Sequence, residues 1–191
     1  YYTEDFESYE RSYVTPRWLS DQGGAFEVVK LPDGNRVLQQ QITDSLICWD
    51  SWGKNNPEPY TQAGSSNGSN YVVSADFRIG EHGCARIFGM VSWFESNTAP
   101  HGIGLEITHS GEWKLSINQK VIKEGVVEID SSAWNHFVLE CGTSKIRAIV
   151  NDRVLTDIPA DRNYVKGFFG IGSDWNKVCF DNLQVRPLSM D

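Results

Sequence analysis

Apolar and polar residues alternate with a period of two through most of the chain. In YVVSADFRI (71–79), Val72, Ser74 and Asp76 fall on one side and Val73, Ala75 and Phe77 on the other, as a strand with one buried face requires. AFEVVKL and RVLQQQI flank PDGN, which predicts a hairpin over residues 25–42. CARIFGMVSWF is a mostly apolar run of central-strand character, with Gly89 marking a bulge or a close backbone approach. GIGLEITHSGEWKLSI reads as a hairpin around Ser110 and Gly111. WNHFVLECGTSKIRAIVNDRVLTDI reads as three strands joined by a Gly-Thr-Ser turn and an Asn-Asp turn. KGFFGIGS and KVCFDNLQV supply the last two strands. The stretch KNNPEPYTQAGSSNGSN (54–70) is expected to be one long polar loop within the domain. No helical period is sustained and no fixed repeat is visible. Many short strands between turn signals predict an all-β, two-sheet jelly-roll sandwich, one domain over residues 1–191.

Composition narrows the function. Hydrophobic residues at 40% and charged residues at 22% are those of an ordinary globular chain. Aromatics at 12%, seven of them Trp, suit a sandwich core or a sugar-binding surface. A net charge of −8 with no basic patch argues against a nucleic-acid partner. No apolar run reaches the length of a transmembrane segment. The chain does not open on Met and carries no leader, so it is read as a processed chain or an excised segment. Asn67-Gly68-Ser69 is an N-glycosylation sequon, which points to a secreted or lumenal location. Cys48, Cys84, Cys141 and Cys179 lie far apart without a C-x-x-C pair, against a zinc site of ordinary spacing. They are either buried free thiols or include one disulfide.

The two ends share a pattern. EDFES near the start and CFDNL near the end each place an apolar ring beside acids. If the first and last strands pair, Phe6 and Phe180 point inward, and Asp5, Glu7 and Asp181 gather at one edge. Three carboxylates there repel unless a cation joins them, and an all-oxygen set without His or Cys favours Ca²⁺. The alternative is three solvated surface acids.

YTEDF at the start, SDQGGAFEV (20–28), VLQQ (37–40), ICW (47–49), LTDIP (155–159) and FDNLQV (180–185) occur in this order. Together they resemble the C-terminal lectin-like domain of the galactocerebrosidases, glycoside hydrolase family 59. The likeness runs from Tyr2 to Arg186. The loop over 54–70 and the four cysteines have no match in the family pattern. The resemblance implies a concanavalin-like sandwich holding a structural Ca²⁺. Its ligands would be Asp5, Glu7, the main-chain carbonyl of Arg36, and Asp181. Glu7 stands where the family carries Asn, so one ligand is longer and charged. The resemblance also places Trp49 at the border with a catalytic barrel, where an indole stacks on galactose. Neighbouring Trp52 is a second candidate contact. A core or interface role for Trp49 is the alternative.

Retaining glycosidases need two carboxylates about 5 to 5.5 Å apart. The resemblance assigns that pair to the family's barrel, which this chain lacks. The E-x-D-x-x-E strand of family 16 glucanases is absent, and no G-x-S-x-G elbow occurs. The chain is therefore expected to be non-catalytic alone. It is read as an accessory lectin-like domain of a galactosylceramidase-type enzyme, with a galactose-containing glycan or glycolipid headgroup as ligand and a secreted or lysosomal location. The alternative is a free-standing extracellular lectin, adhesion or structural module.

Overall fold

The computed structural model describes residues 1–44, 58–92, 100–160, 163 and 166–189. The period-two segments become the ladders of two antiparallel sheets. In chain order the strands are β1 (Tyr2–Glu4), β2 (Ser20–Gly23), β3 (Phe26–Lys30), β4 (Arg36–Gln40) and β5 (Tyr60–Ala63). Next come β6 (Tyr71–Arg78), β7 (Cys84–Val91), β8 (Ile103–Thr108), β9 (Glu112–Ile117) and β10 (Lys120–Val126). The last are β11 (Asn135–Cys141), β12 (Lys145–Val150), β13 (Arg153–Pro159), β14 (Phe168–Ser173) and β15 (Cys179–Pro187). One sheet runs β13-β12-β11-β6-β15-β4-β3, with β1 also paired to β15. The other runs β10-β9-β8-β7-β14-β5-β2. No helix occurs among the described residues, and so none is long and apolar enough to cross a membrane.

The core lies between the sheets. Val73, Ala75 and Phe77 of β6 face Ile87 of β7 and Leu105 of β8 across a shared cluster, all fully buried. Phe77 stacks on Phe137 at 4.7 Å between ring centres, and Phe26 and Phe180 sit 6.4 Å apart. Each fully buried ring contributes roughly 1.5–3 kcal/mol. The sheets are also bridged by hydrogen bonds. The Tyr71 hydroxyl of β6 accepts from the Met90 amide of β7 at 2.6 Å and donates to the Phe168 carbonyl of β14 at 3.0 Å. Gly89 is a point of close approach, since a Cβ there would stand 2.3 Å from the Cys141 sulfur of the opposite sheet.

Two expectations need correction. The stretch 54–70 is not one loop, because it contains β5, whose four residues are all buried between β14 and β2. Alternating polar residues hid a strand that is paired on both sides. The strand expected through Asp5-Phe6-Glu7 stops at Glu4. Carboxylate oxygens of Glu4 and Asp5 accept the amides of Phe6 and Glu7 at 2.8 and 3.1 Å, which replaces ladder bonds with a turn. Phe6 sits there at φ +58° with its ring fully buried. Strand β10, largely exposed, carries no alternation to announce it. Cys84, Cys141 and Cys179 are buried free thiols. Burial pushes the Cys84 thiol up to about 12, far from reactive. Cys48 lies outside the described residues.

Candidate metal and glycan site

Strand β15 changes partner partway along one flank. Cys179 and Phe180 pair with Gln39 and Leu38 of β4, whereas Leu183, Gln184 and Val185 pair with Glu4, Thr3 and Tyr2 of β1. Asp181 and Asn182 fall between the two partners and have no ladder neighbour on that side. On the other flank β15 bulges against β6 between Asp181 and Gln184, and Asn182 adopts φ +48°. A bulge of this kind re-aims side chains and often borders a functional site.

The turn that follows β1 runs into this gap. Glu7 reaches across and accepts the Arg36 amide at 2.8 Å. The Leu31 amide bonds the Asn35 carbonyl at 2.8 Å, so the backbone groups of residue 36 point away from β3. The Arg36 carbonyl therefore faces the same side as its amide, towards Glu7. The Arg36 guanidinium is directed elsewhere, donating to the Glu10 carbonyl at 3.2 Å. Asp181 is only 6% exposed. It accepts from the Asn35 side chain at 2.9 Å and from the Asn182 amide at 2.7 Å.

Electrostatics set the character of the gap. Burial raises the Asp181 carboxyl above its ordinary value. The bonds from Asn35 and Asn182 offset this in part, while the charges of Asp76 and Glu7 push it further up. Asp76 lies opposite Asp181 in the ladder. Burial opposes its ionisation, but bonds from His136 at 2.6 Å and Asn182 at 2.7 Å outweigh that and hold its carboxyl below the ordinary value.

Of the residues expected to bind a metal, Glu7 and Arg36 meet directly, and Asp181 joins them through Asn35, the neighbour of Arg36. Asp5 bonds the Glu7 amide within the turn. Among the described residues, no three His, Cys, Asp or Glu side chains group as a metal site. The set fits Ca²⁺ in chemistry: oxygens only, a main-chain carbonyl turned inward, and a buried carboxylate beside a second negative charge. Asn35, Asp76, His136 and Asn182 were missed from sequence. The only signal for Asn35 was its place in the PDGN turn, and for Asn182 its place in FDNL. Trp49 and Trp52 lie outside the described residues. Asn67 is exposed, and its side-chain oxygen accepts from Lys166 at 3.4 Å.

Residues 21–188 match the family described as "Galactocerebrosidase, C-terminal lectin domain". No curated protein matches the sequence. Among solved structures, the carbohydrate binding module CBM66 from Bacillus subtilis superposes with a TM-score of 0.63 at 16% identity, over 88% of this chain and 95% of that one. A Bacillus subtilis protein of unknown function with a galectin-like fold gives 0.65 at 12% identity, over 97% and 94%. The carbohydrate recognition domain of Emp47p gives 0.59 at 12%, over 97% and 95%. At these identities the likeness is one of fold, that of the lectin-like β-sandwiches.

Proposed function

The chain belongs to the galactocerebrosidase C-terminal lectin domain family, and from that premise we propose a non-catalytic lectin-like domain whose N-terminal and last strands are tied by one Ca²⁺. Its ligands would be Asp5, Glu7, Asp181 and the Arg36 carbonyl, and a bound cation supplies the positive charge that the gap lacks. The observation that carries this reading is the unpartnered Asp181-Asn182 step of β15, with the turn after β1 directed into it. Asp181 and Arg36 lie within the family match, whereas Asp5 and Glu7 precede it.

Thermal unfolding with Ca²⁺ and with chelator tests the proposal. An ion that binds only the native state stabilises it by about 2.7 kcal/mol at a hundredfold excess over Kd. For a domain of this size that raises Tm by roughly 5–10 °C. Asp181→Asn is expected to lose most of the rise. An equal Tm for the wild type in both conditions would leave the carboxylates without a cation, Asp181 held by Asn35 and Asn182 alone.

The ligand proposed is a galactose-containing glycan or glycolipid headgroup stacked on Trp49, with Trp52 beside it. Support comes from the family and from the lectin-like fold. Binding by this chain alone is expected to be weak, because a catalytic barrel in the parent protein would supply most polar contacts. Trp49→Ala is expected to abolish the residual signal on a glycan array, and unchanged binding would remove Trp49 from the site. A secreted or lysosomal location, with Asn67 glycosylated, completes the reading.

A further inference from the structure

A second polar cleft, of about 540 Å³, opens at the other end of β15, where β6 begins and β11 turns into β12. It lies five residues along β15 from Asp181, roughly 16 Å at 3.3 Å per residue, so it is separate from the metal gap. Its rim is fixed by Asn70, which sits at φ +49°. The Asn70 side chain accepts the Thr143 amide at 3.0 Å, and its carbonyl accepts the Leu188 amide at 2.9 Å. Gly142 lets the wall close, since a Cβ there would stand 2.9 Å from the Leu188 side chain.

The charges of the cleft do not cancel. Across the sheet one register row runs Asp157, Arg147, Glu140, Val72, Arg186. Asp157 holds Lys145 at 2.9 Å and Arg147 at 3.3 Å, and Arg147 also approaches Glu140 at 3.7 Å. Those two cations and two carboxylates balance. Uncharged Val72 separates Glu140 from Arg186, two strand spacings or about 10 Å away. Arg186 is exposed, and its guanidinium has no hydrogen-bond or ion-pair partner among the described residues. The Thr143 and Ser144 hydroxyls, exposed on the rim, are likewise free to donate. An unpaired guanidinium in a concave, hydroxyl-rimmed cleft has the donors to receive an oxyanion.

We propose that this cleft binds the sulfate or phosphate ester of an acidic sugar, with Arg186 taking the oxyanion and the Thr143 and Ser144 hydroxyls the neighbouring oxygens. The sugar part of the proposal rests on the lectin-like reading, whereas the anion part does not.

Titration calorimetry on the whole chain at low salt, with galactose 6-sulfate, galactose 6-phosphate, galactose and inorganic sulfate, tests it. At least one ester is expected to bind about tenfold or more tightly than galactose and than inorganic sulfate. Whichever ester binds more tightly identifies the source of the oxyanion. Binding should weaken as salt rises. Arg186→Gln should reduce ester binding about tenfold while leaving Tm and its Ca²⁺ response unchanged, and Trp49→Ala should leave ester binding intact. Equal affinity for galactose, equal affinity for inorganic sulfate, no binding of either ester, or wild-type binding by Arg186→Gln would each overturn the proposal. Loss of ester binding in Trp49→Ala would instead assign the ligand to the galactose site.

Discussion

Asp181 carries an electrostatic cost that its own side chain would shed if it were amidated. Its folded-state carboxyl is raised from 3.8 chiefly by burial, so the folded chain holds that proton more tightly than the unfolded chain does. The contribution is present below the unfolded value and is lost as pH rises through the folded one. Asp76 has the opposite sign and is present in both proteins, so it enters the difference only through its repulsion of Asp181, which the variant removes. Under chelator, the stability of the wild type relative to Asp181→Asn should therefore fall as pH rises upward from 3.8. At neutral pH the variant should match or exceed the wild type. The introduced amide keeps an oxygen that can accept the Asn182 amide, and the Asn35 side chain can turn its own oxygen to meet the new N–H donors. Saturating Ca²⁺ favours the ionised form and should reverse the slope. Denaturant unfolding of both proteins over this range measures the difference. A flat difference under chelator would show that Asp181 is solvated, against its burial.

At the scale of elements, the two sheets are joined by side-chain hydrogen bonds as well as by apolar packing. Tyr71 is the strongest case, because its hydroxyl satisfies the Met90 amide, and Met90 sits at φ +53° beside the register shift between β14 and β7. Tyr71→Phe keeps the ring and leaves a buried amide without a partner. The expected loss is about 1–3 kcal/mol, a Tm drop of a few degrees to about ten. Calorimetry reads it, and an unchanged Tm would mean that the bond adds nothing to the join. This bridge was not legible in the sequence, where Tyr71 is simply the first residue of an alternating run. Alternation announces which way a residue points in a strand such as β6. It cannot report what lies opposite in another sheet. The same limit hid β5, whose buried Thr61 and Gln62 look like loop residues until two neighbouring strands cover them. That the chain ends meet was legible because EDFES and CFDNL repeat one local pattern, but the paired residues are Tyr2–Glu4 and Leu183–Val185 rather than Phe6 and Phe180. The turn at Phe6 was not, since it depends on two acidic side chains capturing backbone amides.

Across the whole molecule, the ends of the chain meet on one strand, and beyond that ladder the first of them is held by the buried Phe6 ring and by the bonds of Glu7 and Glu10 to Arg36. Strand β1 has three residues and a single neighbour, β15. Residues 11–13 follow as an exposed turn with Tyr13 at 70% exposure, before a lone bridge from Val14 to Val28. Such a segment belongs to the low-stability end of a fold, where local opening costs far less than global unfolding. A Ca²⁺ held between the turn after β1 and Asp181 would couple that opening to the ion. Hydrogen exchange should then show faster exchange at residues 2–10 and 181–185 when the ion is chelated. The β8, β9 and β12 amides, which lie in ladders away from the gap, should be unaffected. Deleting residues 1–10 should abolish the Ca²⁺ response of Tm and also lower Tm itself, because it removes the fully buried Phe6 ring, a loss of roughly 3–5 kcal/mol. If chelation loosens every strand equally, the ion stabilises the sandwich as a whole and the split edge of β15 is not its seat. If it loosens none, the N-terminal strand is held by Phe6 and the β1–β15 ladder alone.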